Sequence, residues 1–118
     1  MTSNESSLDG LQVLVVLSTF PDEARAVTAA RTLVDEGLAA CVNVLPGLRS
    51  IYRFEGQLHD DAEVLCLIKT TTGSESQLRA RLASLHPYQV PEIIALPVVA
   101  GDARYLGWVA SSVQPRRS

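Results

Sequence analysis

Apolar positions recur along the chain in two different rhythms. Leu11 to Phe20 is rich in Val and Leu with no polar alternation, which predicts a strand covered on both faces and so central in a sheet. Pro21-Asp22-Glu23 supplies a ring suited to a first helical turn and two acids that favour its positive end. Ala24, Val27, Ala30, Leu33 and Val34 then return at three- and four-residue intervals, and Gly37 is placed to cap the helix they predict. Ala39 to Leu45, Pro46-Gly47 and Leu48 to Glu55 read as one long strand broken by a bulge or bend, since proline donates no ladder hydrogen bond. Ile51 and Arg53 share one face of its second half, and Tyr52 and Phe54 the other.

Gly56 marks a turn, and His59-Asp60-Asp61 is either a set of three oxygen or nitrogen donors that captures a hard or borderline cation weakly or part of a solvated hairpin loop. Glu63 to Thr71 is a second two-sided apolar strand, with Val64, Cys66 and Ile68 on one side and Leu65 and Leu67 on the other. Ser74 and Gln77 have the spacing of a capping box. Leu78, Leu82 and Leu85 mark the helix behind it, which Pro87 ends. Ile93 to Val99 is a last strand, and Pro97 suits it to an edge. Asp102 is placed to cap a short closing helix packed through Tyr105, Leu106, Trp108 and Val109.

The order is β-α-β-β-α-β plus a terminal helix, the split arrangement of the ferredoxin-like α+β fold. Its two main helices lie on one face of an antiparallel sheet, yet three of the strands are apolar on both sides. Leaving the second face wet, at about 25 cal/mol per Å² of apolar area, is costly and invites aggregation. A further copy of the chain, joined through the sheet face and by strand pairing, is the expected cover.

Composition narrows the class. The chain has 118 residues, within the range of one domain, here expected at 10–113 between polar tails at 1–9 and 114–118. With 47% hydrophobic and 19% charged residues it is neither disordered nor membrane-embedded, and Val13 to Leu17 is its longest aliphatic run. A formal charge of −3 argues against a nucleic-acid partner. The opening MTSNESSLDG lacks the basic-then-apolar pattern of an export signal. Cys41 and Cys66 have neither zinc nor disulfide spacing, so reduced thiols in a cytoplasm are expected.

Three stretches carry a more specific signal: Ser18-Thr19-Phe20-Pro21-Asp22-Glu23; Leu38-Ala39-Ala40-Cys41-Val42-Asn43 running on to Pro46-Gly47 and Ser50-Ile51-Tyr52; and Leu85-His86-Pro87-Tyr88-Gln89-Val90-Pro91-Glu92-Ile93. In this order and spacing they closely resemble the CutA family of divalent-cation-tolerance proteins, from about Val13 to Trp108. The resemblance implies a ferredoxin-like subunit similar to the PII signalling proteins, a tight homotrimer made by sheet-to-sheet contact, and a link to copper and other divalent cations with no obligatory cofactor. Family members with proposed copper ligands can carry a cysteine where this chain has Ser18 and a second histidine where it has Leu85. Of that set His86 remains, so weak rather than tight copper binding is expected.

The candidate residues each have a plainer alternative. His86, near a helix end, is either a metal ligand or a ring bonded to a free carbonyl, and Cys41 is either a soft metal donor or a small packed hydrophobe. Lys69 and Glu92, at the end and start of apolar strands, call for partners. They are read either as an ion pair fixing register or, with Tyr88 and Trp108, as a polar pocket between subunits for a small ligand. Arg53 is either part of that seam or a solvated rung. The leading function is therefore a non-enzymatic cation-tolerance protein, and the alternative a PII-like module taking a small ligand in an intersubunit cleft. No nucleophile beside a base and no paired-carboxylate motif supports catalysis, and the third strand lacks the exposed aromatics of an RNA-recognition sheet.

Overall fold

A computed structural model describes residues 12–114. The tail expected at 1–9, Leu11 of the first strand and the tail beyond Gln114 lie outside the described residues. The elements follow the expected order: β1 (Val13–Phe20), α1 (Glu23–Asp35), β2 (Cys41–Phe54), β3 (Gln57–Thr71), α2 (Glu75–Leu85), β4 (Ile94–Pro97) and α3 (Ala103–Ser112). They form one antiparallel sheet in the order β2-β3-β1-β4, which puts the two-sided strands β1 and β3 at the centre and the proline-ended β4 at an edge.

Local chemistry explains the helix ends. Pro21 stands just outside α1, and Asp22 is the N-cap, its carboxylate accepting the Arg25 N–H at 2.8 Å. At the other end Leu38 N–H bonds the Leu33 carbonyl and Gly37 N–H that of Val34. Gly37 is at φ 75°, the left-handed closure that a Cβ would strain. The capping box expected at Ser74 does not form, because Ser74 is itself in a near-helical conformation and its side chain caps nothing. Asp102 likewise precedes α3 without a side-chain cap bond.

The core lies between the sheet and α1 and α2. Val16 and Phe20 of β1 and Val64, Cys66 and Ile68 of β3 meet Ala26, Ala29 and Leu33 of α1 and Leu78 and Leu82 of α2. Alanines on α1 let that helix sit close to the strands. Ser18, opposite Cys66 on this face, is fully buried, and its hydroxyl has no hydrogen-bond partner among the described residues. On the second face α3 covers only one end, where Val109 and Val113 pack on Val13. The rest of that face presents Leu45, Ile94 and Leu96, exposed to 42, 48 and 46%, beside half-buried Val15, Leu17, Leu65 and Leu67. The expected imbalance between the faces is thus present among the described residues of the chain.

The largest departure from expectation is the β2–β3 ribbon. Residues 57–62, expected as loop, are strand, so the hairpin turns at Glu55-Gly56 alone, both at positive φ (52° and 78°) as a two-residue type I′ turn requires. Alternation therefore separates the His59-Asp60-Asp61 set: His59 and Asp61 share a face and Asp60 points the other way. Between Leu45↔Leu65 and Leu48↔Glu63 the register gains one residue on β2, with Gly47 at φ 91°. This bulge moves the even-numbered residues of β2 onto the face held by odd-numbered ones before it. Ser50 and Tyr52 are thereby aimed at the acids of β3.

Candidate functional site

Two polar clusters interrupt this mostly apolar architecture. One is built where the segment after α2 crosses the end of β1. His86 is buried there, its ring stacked on Phe20 with centroids 4.2 Å apart and tilted against Tyr88 at 5.0 Å. Its Nε2 lies 2.7 Å from the Thr19 carbonyl oxygen, and its Nδ1 accepts the Tyr88 backbone N–H at 3.1 Å. A carbonyl only accepts and an amide N–H only donates, so the ring is neutral with its proton on Nε2. Burial pushes its pKa below the ordinary imidazole value, opposed by the Thr19 carbonyl and the Glu63 carboxylate, which favour the charged form.

Tyr88 carries the cluster onward. Its hydroxyl donates to Glu63 Oε2 at 2.6 Å, and the Ser50 hydroxyl donates to Glu63 Oε1 at the same distance. Glu63 is only 8% exposed, so these hydroxyls take the place of water around a buried carboxylate. Burial first and the Glu63 bond second push the Tyr88 phenol well above its usual pKa. Further out on the ribbon, Tyr52 donates to Asp61 at 2.6 Å and stacks on His59, while Arg49 holds Asp60.

The second cluster lies on the second face of the sheet, where Cys41 of β2 pairs with Lys69 of β3. The Lys69 ammonium donates to the Asn43 side-chain oxygen and lies 3.9 Å from Cys41 Sγ. Among the described residues Lys69 makes no ion pair, with Glu92 or any other acid. Glu92 is exposed, and Trp108, 47% exposed, lies tilted against Tyr105 with ring centroids 5.7 Å apart. The candidates thus fall into two pairs, His86 with Tyr88 and Cys41 with Lys69. Glu92 and Trp108 join neither through a described hydrogen bond. Arg53 bonds the Gly56 carbonyl at 3.2 Å.

The hub, Glu63, is a residue that sequence reasoning missed. An acid opening an apolar strand was the available signal. Its partner Ser50 becomes visible only once the bulge sets the register.

Comparison with known proteins decides the family. The CutA1 divalent ion tolerance family matches residues 14–112. A divalent-cation tolerance protein CutA from Thermus thermophilus is 54% identical over 95 residues, covering 80% of this chain and 92% of that protein. The chain belongs to the CutA1 family. A second CutA, from Citrobacter koseri, is 41% identical over 114 residues, covering 97% of this chain and 99% of its own length. A crystal structure of CutA from Xylella fastidiosa superposes with a TM-score of 0.85 at 41% identity, covering 87% of this chain and 99% of that one. The α+β architecture derived from the apolar pattern is therefore the architecture of this family.

The family's cation can be tested against the donors present. Among the described residues no three or more His, Cys, Asp or Glu side chains converge where they could hold a metal ion. Both His86 nitrogens are engaged, and Cys41 has a lysine ammonium rather than a second donor beside it. At the positions singled out by family resemblance, Ser18 is buried in the core and Leu85 packs against it. The described residues of this chain do not fit a tight cation site.

Proposed function

We propose that this protein serves divalent-cation tolerance as a non-enzymatic cytoplasmic homotrimer, taking up copper or another divalent cation only weakly. Family membership supports the role. The assembly rests on one observation, the apolar row of Leu45, Ile94 and Leu96 on the face that α3 leaves uncovered. Burying it against copies of itself removes the cost of hydrating it. Weak binding follows from the donor geometry: the lone pair of the neutral His86 ring is committed to the Tyr88 N–H, which leaves the soft thiol of Cys41 as the available candidate ligand, and Lys69 repels a cation there.

Light scattering at low micromolar concentration, with Leu96→Asp as the disrupting variant, tests the assembly. A trimeric mass that falls in the variant supports it, and a monodisperse wild-type monomer refutes it. Copper titration of wild type and Cys41→Ser tests the donor.

Lys69 favours a second reading, a PII-like module that binds a small anion between subunits. A half-buried ammonium held by an amide and a thiol, without an acid, has its charge uncompensated among the described residues. Calorimetric titration with nucleotides and small carboxylates, against wild type and Lys69→Met, separates the readings: anion binding lost in Lys69→Met favours the module, and cation binding alone favours tolerance by direct uptake.

A further inference from the structure

Lys69 stands in a row of side chains that crosses the second sheet face. Strand register sets Cys41 of β2 on one side of it, Val15 of β1 on the other, and Leu96 of β4 beyond Val15. The next row on that face is Asn43, Leu67, Leu17 and Ile94. In the opposite direction the cover of α3 begins, where Val109 and Val113 pack on Val13 with Ala40 against them, and the Ala40 N–H bonds the Lys69 carbonyl at 2.9 Å. The ammonium therefore emerges at the border between the covered end of the face and its open aliphatic part.

The polar groups at this border face outward as donors. An ammonium only donates, so the Asn43 amide turns its oxygen to Lys69 and its NH2 away from it. Among the described residues that NH2 has no hydrogen-bond partner, and the ammonium has no acid.

We propose that Lys69 and Asn43 bind a short aliphatic monocarboxylate, its two oxygens on the ammonium and the amide NH2 and its tail on Val15 and Leu67. This rests on the reading of Lys69 as an anion site between subunits and names the class of anion. Charge and donor count select a carboxylate over a phosphate. One cation and one amide match one negative charge on two oxygens. The backbone amides of β1 and β3, the interior strands, are spent in the sheet ladder, so no cradle of N–H groups is left to answer a second charge and further oxygens.

The neighbours select the tail. Val15 and Leu67 are apolar and half-buried, about 5 Å away across one strand spacing and about 7 Å away along the strand. A branched tail of a few carbons covers both. A longer chain runs on to Leu96, which the contact between subunits claims. A tail ending in a second carboxylate or a hydroxyl is desolvated over these side chains without a partner.

Isothermal titration of the full-length protein at neutral pH and low salt tests the site, with 3-methylbutanoate, succinate, inorganic phosphate and uncharged 3-methylbutanol as probes. Saturable binding of 3-methylbutanoate is expected, about tenfold or more tighter than that of any other probe. Lys69→Met should weaken it at least about tenfold. Asn43→Asp should do the same, because it gives the ammonium an acid of its own and removes the free NH2. Arg31→Met, which deletes an exposed cation on α1, should leave it unchanged. Lys69-dependent binding in which phosphate or succinate matches or exceeds 3-methylbutanoate overturns the aliphatic monocarboxylate and leaves the anion reading standing. No saturable binding of any anion overturns both. Equal binding of 3-methylbutanol, or binding that survives both Lys69→Met and Asn43→Asp, overturns the assignment to these residues. The ranking of probes on the wild type decides even if a variant fails to fold.

Discussion

The two polar clusters differ in how completely their atoms are answered. Around His86 and Glu63 every ring nitrogen and carboxylate oxygen has a hydrogen-bond partner on the chain at 2.6 to 3.1 Å. Around Lys69 the partners are a neutral amide and a thiol, and among the described residues the positive charge has no acid. Both clusters pair groups drawn from distant parts of the sequence, so both depend on the fold. The first uses its chemistry up in holding the fold, whereas the second leaves chemistry over. A saturated cluster resists substitution. An unsaturated one tolerates substitution and is available to a ligand.

The sharpest way to break this contrast is Glu63→Ala. It removes the acceptor of two hydroxyls in a site from which water is largely excluded, and is expected to cost about 2–4 kcal/mol in denaturant unfolding. A cost below about 0.5 kcal/mol would mean that the hub is cosmetic and that the two clusters are alike. Next in size is Ser18→Ala, on the helix-covered face opposite Cys66. Because the Ser18 hydroxyl is fully buried and unpartnered, its removal is expected to raise stability by about 1 kcal/mol, read from the denaturation midpoint at constant slope. The smallest effect belongs to Lys69→Met, which keeps the stem packing on the sheet. Stability is expected to stay within about 0.5 kcal/mol of wild type while any anion affinity disappears. A large loss there would place Lys69 with the structural cluster.

The hydrophobic period made much of the fold legible. Two-sided apolar runs at Leu11–Phe20 and Glu63–Thr71 identify the central strands, three- and four-residue spacing identifies the helices, and Gly37 and Pro97 mark a helix end and a sheet edge. The ribbon was less legible. Gln57-Leu58-His59-Asp60-Asp61 is too polar to read as a strand alone and is one because β2 pairs with all of it, Arg49 and Tyr52 holding its acids. Of the site, the residue types around His86 stood out in the sequence, but their partners did not. Thr19 lies 67 residues from His86, and Ser50 meets Glu63 only because a single extra residue at the bulge changes which side of β2 it occupies.

By itself, the order of residues determined which segments are strands and helices, that one sheet face would be left greasy, and which family the motifs resemble. These are properties of near neighbours and of composition, fixed by periodicity and backbone preference. Tertiary structure decided that His86 is spent on backbone groups, that Lys69 stands beside Cys41 and Asn43 rather than Glu92, and that Glu63 is the hub of the polar network. Hydrogen bonds form over a few ångströms of space, and spatial closeness between remote residues is set by strand register and by where a loop crosses a strand end.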